Sequence, residues 1–371
     1  MAFYDYTDID KTRANYRIII GQRSNGKTYG YKKKMVDNFV ENGKESAYVR
    51  TLAENIKSGA MNLFFDDIFD YLTARLHERY PEYSKFGYTA KNDRWTIYAL
   101  SERDDTGAVD KINLGVIGYY FALTQGNKYK STPYPNISLM AWDEFTTRGF
   151  EPPETFSLFI NLVSTIKRQR DDFTVYLLGN TVTRNSAVLE NMHINIRDLR
   201  QGDIKLYEYT DIGTSGETIR NTVAVEYCET MEQAGASESY FVFNSQREMM
   251  IRHGEWETND YPTFDVNFDD ITVKLAARVY SGAMTVYVYL TADRTLYVSS
   301  KRLYPANDPD YLSFTNSTII NRRQFAIQSD LPPARRFREI VRSSVINDRV
   351  RYDNNLTGDD FTSFLQNNHI I

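Results

Sequence analysis

Residues 21–28, which read GQRSNGKT, decide the fold of the first part of this chain. Their spacing, G-x-x-x-x-G-K-[ST], is that of a phosphate-binding loop, in which glycines let the backbone aim N–H groups at phosphate oxygens. The apolar run at 16–20 predicts a buried strand before the loop, and a helix is expected over 28–40, with its positive end facing the phosphates. The residues expected to bind nucleotide are Gly21, Arg23, Ser24, Asn25, Gly26, Lys27 and Thr28.

Individual positions of this loop carry distinct chemistry. Lys27 is expected to reach the β- and γ-phosphates, and the Thr28 hydroxyl to ligate Mg²⁺. Arg23 is an unusual cation inside the loop, and it either touches the nucleotide or faces a carboxylate. For the motif alone, a glycine-rich turn without a ligand stays open as the alternative.

Length and composition narrow the class of protein. The 371 residues, 42% of them hydrophobic, suffice for two domains and a small connector. No apolar run approaches the roughly 18 residues of a membrane span, and the N-terminus lacks the features of a signal peptide. A single cysteine, Cys228, excludes an internal disulfide and fits a reducing cytoplasm, and four scattered histidines argue against structural zinc. The net charge of −5 leaves room for a local basic surface.

A second motif lies where an apolar strand ends in two carboxylates. Residues 136–144 read NISLMAWDE, and 137–142 predicts a buried strand ending at Asp143 and Glu144. In a nucleotide-binding α/β domain such a strand end lies beside the phosphate loop, where Asp143 would bind Mg²⁺ and Glu144 would polarise the attacking water. A solvated acidic pair is the alternative, and the upstream loop favours the functional interpretation. A base beside the metal ligand also favours a hydrolase over a kinase.

Two further strands, 46–50 and 174–178, fit the same sheet. The second leads into Asn180, whose amide would project from the end of the strand where ligands bind in open α/β sheets. There it would sense the γ-phosphate or hold the attacking water. A turn asparagine at a strand end is an equally good interpretation from sequence alone.

A helix is expected over 154–167, because apolar residues recur there with helical spacing. It ends in a cluster of cations that includes Arg168 and Arg170. Cations suit a helix C-terminus, so a structural role is one interpretation. The other is that Arg168 or Arg170 enters the site of a neighbouring subunit as an arginine finger.

Three segments in this order, GQRSNGKT, YPNISLMAWDEF and IKRQRDDFTVYLLGN, resemble the DNA-packaging ATPases of phi-29-type tailed phages. The resemblance covers residues 1–200 well and the remainder in outline. It implies an additional-strand (ASCE) P-loop ATPase domain, an α/β fold with a mostly parallel sheet and flanking helices, related to large terminases and FtsK/HerA translocases. It also implies ATP and Mg²⁺ as ligands and ATP hydrolysis coupled to the translocation of double-stranded DNA into a procapsid.

The resemblance also assigns roles to residues. The family's loop lysine, its loop arginine and its metal-binding aspartate correspond to Lys27, Arg23 and Asp143. Its hydroxyl ligand and its catalytic glutamate correspond to Thr28 and Glu144. Its trans-acting arginine finger falls best on Arg168, with Arg170 in reserve, and a second trans-acting cation on Lys130. Ser24 and Asn25 stand where small or apolar residues are usual, which puts nucleotide affinity in doubt.

The partners follow from the same resemblance. A homo-oligomeric ring, expected to be pentameric, docks on the portal protein of an empty procapsid, with a packaging RNA as a further candidate partner. The expected location is the host cytoplasm, transiently on the procapsid and outside the mature virion, with no membrane partner.

The chain is expected to divide into an ATPase domain (1–200), a connector (201–265) and a C-terminal domain (266–371). A helix is expected over 218–233 in the connector. In the C-terminal domain, alternating runs at 271–280, 284–290 and 295–299 predict an antiparallel meander, followed by a helix over 333–346. By resemblance this α+β domain is an RNase H-like vestigial nuclease. Because 271–280 contains no carboxylate to bind metal, no nuclease activity is expected.

The C-terminal domain is locally basic. Between residues 301 and 351, ten Lys/Arg face five Asp/Glu. A stripe on the expected helix would bind phosphate without reading sequence, or face the portal or a structural RNA, or be a solvated face. The stripe consists of Arg335, Arg338, Arg342 and Arg349.

Two other functions compete with the motor. A nucleotide-gated assembly scaffold would bind ATP without significant hydrolysis, and the presence of Glu144 argues against it. A P-loop kinase would need an acceptor pocket and lid arginines, and the sequence does not identify either.

Overall fold

The chain folds into two compact units that interleave in sequence. The first contains Met1–Val182 and Leu199–Glu255, and the second Thr183–Asp198 and Trp256–Ile371. The computed structural model describes residues 3–101, 110–146, 154–168, 170–182, 184, 186–212, 218–229, 253, 256, 259–268, 271–281, 284–303, 312–316 and 323–371.

The first unit is organised by a nine-stranded sheet in the order β3-β4-β5-β2-β6-β7-β1-β9-β8. The six central strands, β5-β2-β6-β7-β1-β9, are parallel. The antiparallel strands β3 and β4 flank them on one side, and the antiparallel strand β8 flanks them on the other. Strand β7 lies between β1 and β6, so the additional strand implied by the family resemblance is confirmed. The strands are β1 Tyr16–Gly21, β2 Glu45–Arg50, β3 Lys85–Lys91, β4 Arg94–Leu100, β5 Lys111–Ala122, β6 Ile137–Asp143, β7 Thr174–Asn180, β8 Ile204–Ile212 and β9 Thr218–Tyr227.

Helices cover the faces of this sheet. They are α1 Thr7–Lys11, α2 Lys27–Asn42, α3 Ser58–Met61, α4 Phe69–Arg79, α5 Gly126–Tyr129 and α6 Thr155–Lys167, with 3-10 turns at Ala53–Ile56, Asp66–Ile68 and Leu123–Gln125. The helices expected over 28–40 and 154–167 are confirmed as α2 and α6. Phe159 of α6 packs against Trp142 of β6 with ring centroids 4.8 Å apart, so the apolar stripe of α6 faces the sheet. Across the described residues, every helix is too short or too polar to cross a lipid bilayer.

The helix expected over 218–233 is wrong. Residues 218–227 form strand β9, which pairs in parallel with β1 and antiparallel with β8. The segment TIRNTVAVEY is rich in β-branched residues (Thr218, Ile219, Thr222, Val223 and Val225), a composition that suits a pleated sheet better than a helix. Residues 228 and 229 follow the strand, and 230–233 lie outside the described part of the chain.

The second unit contains a six-stranded sheet in the order β14-β13-β10-β11-β12-β15. Strands β10, β11 and β12 form the predicted antiparallel meander, while β13 runs parallel to β10 and β14 parallel to β13. Strand β10 therefore pairs with β11 on one side and with β13 on the other, and β15 pairs in parallel with β12 at the far edge of the sheet. The elements are α7 Ala187–Asn191, β10 Val273–Tyr280, β11 Thr285–Thr291, β12 Leu296–Ser299, β13 Leu312–Thr315, β14 Gln324–Ala326, α8 Pro332–Ile346, β15 Val350–Tyr352 and α9 Asn355–Asn367.

The unit boundaries differ from the predicted division at residues 200 and 265. Strands β8 and β9, from the expected connector, extend the large sheet of the first unit beside β1. Segment Thr183–Asp198, expected in the ATPase domain, belongs to the second unit. Pairing between strands that are distant in the chain decides which unit an element joins, and sequence patterns do not record that pairing. The functional roles given to the three segments stay predictions.

A buried ion pair ties segment 183–198 to the rest of the second unit. Arg197 Nη2 lies 2.5 Å from Asp360 Oδ2, and the Asp360 side chain is only 4% exposed. We expect Asp360→Ala to lower the free energy of unfolding by about 3–5 kcal/mol, because it leaves a buried guanidinium without its counter-charge. Urea unfolding measures this. In the matched exposed pair Arg335–Glu339, 4.0 Å apart, Glu339→Ala should cost less than about 1 kcal/mol. Equal losses for both variants would contradict the prediction.

Candidate nucleotide-binding site

The loop between β1 and α2 adopts a backbone that requires glycine at one position. Gly26 has φ of 90°, and a Cβ built there would lie 2.6 Å from Cδ1 of Phe3. Ser24, in the same loop, also has a positive φ, of 64°. The loop therefore curls sharply between a buried strand and a helix N-terminus, the geometry that turns backbone N–H groups toward an anion.

The side chain of Lys27 is buried inside this loop, with a relative exposure of 6%. Its Nζ donates to the Gln22 carbonyl (2.8 Å), to Asn25 Oδ1 (2.9 Å) and to Asn180 Oδ1 (3.3 Å). Register places Gly21 opposite Asn180 at the carboxyl ends of β1 and β7. The structure therefore brings Asn180 to Lys27, and these hydrogen bonds aim the ammonium into the loop.

Asp143 meets the loop from the neighbouring end of β6. The Thr28 hydroxyl donates to Asp143 Oδ2 over 3.0 Å, and the Tyr48 hydroxyl donates to the same oxygen over 2.8 Å. Asp143 is buried, and the Glu144 N–H donates to its other oxygen over 3.1 Å. The loop and the acidic strand end thus form one site, although 115 residues separate Thr28 from Asp143.

Glu144 is held in an unusual conformation beside Asp143. Its φ is 54°, which is uncommon for a residue other than glycine. Its carboxylate makes an ion pair with Arg50 at the end of β2, and Arg50 Nη1 also lies 3.8 Å from Asp143 Oδ2. Strained backbone of this kind concentrates at functional sites, where the surrounding structure maintains it. The carboxylate is about half exposed, at 45%, so it faces the open side of the site.

The donors and acceptors gathered here suit a nucleoside triphosphate. A buried ammonium and a helix N-terminus supply positive charge for phosphate oxygens. The Thr28 hydroxyl and the Asp143 carboxylate supply hard oxygen ligands of the type that Mg²⁺ prefers alongside phosphates and water. Among the described residues, no group of three or more His, Cys, Asp or Glu side chains could hold a metal ion by itself.

Comparison with known proteins agrees with this geometry. No protein-family model matches the chain. A DNA packaging protein of Bacillus phage B103 is 24% identical over 169 residues, and that of Bacillus phage phi29 is 24% identical over 168 residues. These segments span 44% of this chain and 44% and 42% of the two relatives, so the chain matches less than half of their length.

Two solved structures match almost the whole chain. A chain of the bacteriophage Phi-29 viral genome packaging motor assembly is 16% identical, with a TM-score of 0.57 and coverage of 99% of this chain and 100% of that one. The Phi-28 DNA packaging motor is 14% identical, with a TM-score of 0.52 and coverage of 98% and 97%. This chain has the fold of a phage DNA-packaging motor protein. The resemblance stated from its motifs is therefore confirmed at the level of the fold.

Within the packaging-motor fold, Arg168 lies away from the phosphate loop of its own chain. It follows α6 directly, where the chain turns toward the start of β7, while Asn180 at the opposite end of β7 contacts Lys27. Seven extended residues separate these ends by roughly 20 Å. Arg168 is exposed, has φ of 50°, and its side chain has no hydrogen-bond or ion-pair partner among the described residues.

Arg170 is held differently from Arg168. Its guanidinium donates to the carbonyls of Pro135 (2.7 Å), Ile166 (2.9 Å) and Tyr134 (3.3 Å). These bonds attach the segment after α6 to the segment that leads into β6. Arg23 in the loop and Lys130 after α5 are exposed, and neither side chain has a partner among the described residues.

The arginine stripe predicted on the C-terminal helix is not free to bind phosphate as a unit. Arg338 Nη1 donates to the carbonyls of Ile327 and Ser329, and Arg342 Nε donates to the Ile370 carbonyl over 2.6 Å. Both arginines cap carbonyls of neighbouring segments. Helical spacing identified their common face, but it did not reveal that the chain packs against that face.

Sequence reasoning missed three groups around the site. Tyr48 and Arg50 contact the two carboxylates from the end of β2, a strand that was predicted without regard to its last side chains. The sequence feature that could have identified Tyr48 and Arg50 is their position at the carboxyl end of a predicted parallel strand, because such strand ends meet at one edge of the sheet. The N-terminal segment also packs on the loop: Tyr6 OH donates to the Lys27 carbonyl over 2.6 Å. No motif in the sequence predicts the contact between Tyr6 and Lys27.

Burial lowers the pKa of Lys27 to about 8, which nearby Asp143 and Glu144 offset only in part. Free protein therefore loses a proton from Lys27 as the pH rises past 8, and bound phosphate should restore the ammonium. We expect ATP binding to take up little proton at pH 7 and a growing fraction between pH 8 and 9. Calorimetry in buffers of different ionisation enthalpy measures this uptake. Proton uptake that stays constant from pH 7 to 9 would contradict it.

Proposed function

We propose that this chain is a ring-forming ATPase that packages double-stranded DNA into a viral procapsid. The observation that carries the proposal is the convergence of Lys27, Thr28 and Asp143 on one edge of the sheet, with Glu144 beside them. The full-length agreement in fold with two phage packaging motors supports the same conclusion. Moving DNA into a procapsid requires energy, and in this proposal ATP hydrolysis supplies it.

In the proposed reaction, the loop N–H groups and the Lys27 ammonium bind the β- and γ-phosphates. Mg²⁺, held by Thr28 and Asp143, supplies charge neutralisation on the phosphate oxygens when bound. Glu144 accepts a proton from the water that attacks the γ-phosphate in line, and the Asn180 amide orients that water or the phosphate. Because a carboxylate in an ion pair is less available to a proton, Glu144 must exchange Arg50 for water before it acts.

The transition-state charge needs a further cation, which a neighbouring subunit supplies. Arg168 is exposed and far from its own loop, so it suits action in trans better than Arg170, which backbone carbonyls occupy. Lys130 is exposed and is the candidate for a second trans-acting cation. Arg23 is exposed and is the candidate for a contact to the nucleotide. Because an isolated subunit lacks the trans cation, full activity requires the ring, which we propose to be pentameric.

The finer features of the proposal concern partners and location. The ring docks on the portal protein, with a packaging RNA as a candidate intermediary. It works in the host cytoplasm and leaves before the virion matures. The second unit does not cut DNA, because β10, where RNase H-like nucleases place a metal-binding carboxylate, reads VKLAARVY and contains no acidic residue.

Phosphate release, measured with and without double-stranded DNA, tests the proposal. We expect hydrolysis that DNA stimulates, with Lys27→Ala as the inactive background. No hydrolysis under any assembly condition would favour a nucleotide-gated scaffold instead. Hydrolysis that DNA leaves unchanged, with no DNA binding, would contradict translocation. Consumption of ATP without release of free phosphate would indicate a kinase.

A further inference from the structure

A charged groove lies on the second unit, at one edge of its sheet. Its volume is about 520 Å³, and it lies between α8, the turn that joins β11 to β12, and the turn that joins α8 to β15. Three arginines from these three segments line it: Arg294, Arg336 and Arg349. Only the last belongs to the stripe considered from sequence, so the chain fold, and not helical spacing, assembles this cluster.

The three guanidiniums have little compensating charge. Glu339 is the one carboxylate among the lining residues, so three arginines and one glutamate leave the lining with a net charge of +2. Asp293, next to Arg294, is occupied by hydrogen bonds to Thr295 within its own turn. None of the three arginine side chains has a hydrogen-bond or ion-pair partner among the described residues. All three arginines are exposed, so their charge is available to an anion that approaches from solvent.

The backbone holds two of these arginines in defined positions. Arg294 has φ of 67°, and its N–H donates to the Thr291 carbonyl over 3.1 Å. The Arg349 N–H donates to the Ser344 carbonyl, and its own carbonyl accepts from Leu296 N–H, each over 2.8 Å. Guanidiniums presented by ordered turns lose less entropy on binding a ligand than those on mobile segments.

The remaining lining distinguishes the ligand class. Ser343 contributes a hydroxyl, and Asn347 contributes an amide whose Nδ2 also donates to the Ser343 carbonyl over 2.6 Å. The lining further includes Leu290 and Ile340, and it includes no aromatic side chain. Protein–protein hot spots are enriched in buried aromatic anchors, whereas arginine with serine and asparagine is the usual set that contacts the phosphates of nucleic acids. The groove therefore has the chemistry of a phosphate site rather than of a protein interface.

We propose that this groove binds the phosphate backbone of double-stranded DNA, without reading its sequence. The choice of DNA rests on the proposed packaging function. Three phosphate contacts per subunit, repeated around a ring, would hold the duplex while allowing any sequence to pass. Such contacts are electrostatic and weaken steeply with salt.

The test is binding of a fluorescent DNA duplex of arbitrary sequence to the full-length chain, followed by anisotropy over a range of salt concentrations. We expect Arg336→Ala/Arg349→Ala to weaken binding by about 10- to 100-fold near 0.1 M salt and to reduce the slope of log K against log salt by about 2. The matched control, Lys274→Ala/Lys301→Ala, removes the same charge from exposed positions outside the groove lining and should stay within about threefold of the parent.

The remaining outcomes separate failure of the groove proposal from failure of the proposed packaging function. Equal affinity and slope for the groove variant and the parent, or an equal loss in the control, would overturn the groove. If DNA still stimulated hydrolysis in that case, the proposed function would stand without it. Tighter binding of an RNA duplex of the same sequence would overturn the assignment to DNA. If the parent protein bound no DNA, the groove proposal would be overturned. If its ATP hydrolysis were also insensitive to DNA, the proposed translocation would be overturned as well. Thermal unfolding of each variant is measured to check that the variant is folded.

Discussion

Replacing Glu144 with glutamine is expected to leave ATP binding nearly unchanged and to lower the rate of hydrolysis by about 10³-fold. The amide keeps the shape of the side chain but cannot accept the proton of the attacking water. Lys27, Thr28 and Asp143, which carry the binding chemistry, remain in place. Binding is measured by calorimetry with a slowly hydrolysed ATP analogue, and turnover by phosphate release.

The control for this variant is Glu54→Gln, an exposed glutamate on a 3-10 turn of the same unit, which should keep the parental rate. A Glu144→Gln variant that retains more than about a tenth of the activity would assign the base to another residue. Loss of ATP binding in the same variant would instead show that Glu144 organises the site.

The second large effect concerns Arg168. Arg168→Ala should bind ATP normally and lose about 10³-fold in hydrolysis, because the charge that develops in the transition state loses its cation. Mixing Arg168→Ala subunits with Lys27→Ala subunits should restore part of the activity, since the latter cannot bind ATP productively but still present Arg168 to a neighbour. Phosphate release as a function of the mixing ratio measures this.

The matched control is Arg220→Ala, which removes an exposed arginine from β9 and should change neither the rate nor the mixing curve. Absence of recovery at every ratio would give Arg168 a role inside its own subunit. The position of Arg168, one strand length away from its own loop, is the physical reason to expect recovery.

The local elements could be predicted because their signals are local. The loop 21–28, the strand that leads into it and the helix that follows are determined by glycine positions and by runs of apolar residues. The roles proposed for Lys27, Asp143 and Glu144 rest on residue type and on a resemblance carried by three segments. The error at 218–233 arose because residues 218–227 become a strand by pairing with β1 on one side and β8 on the other, and the order of residues along the chain does not show these contacts.

The amino-acid sequence by itself determined the phosphate loop, the acidic strand end, the meander and the class of fold, because each depends on residues close together in the chain. Only the tertiary structure decided that Arg50 pairs with Glu144, that Arg170 binds carbonyls while Arg168 stays exposed, and that three arginines from separate turns share one groove. These contacts join residues far apart in sequence or from separate elements. Strand order and packing bring such residues together, and the spacing of residues along the chain does not record them.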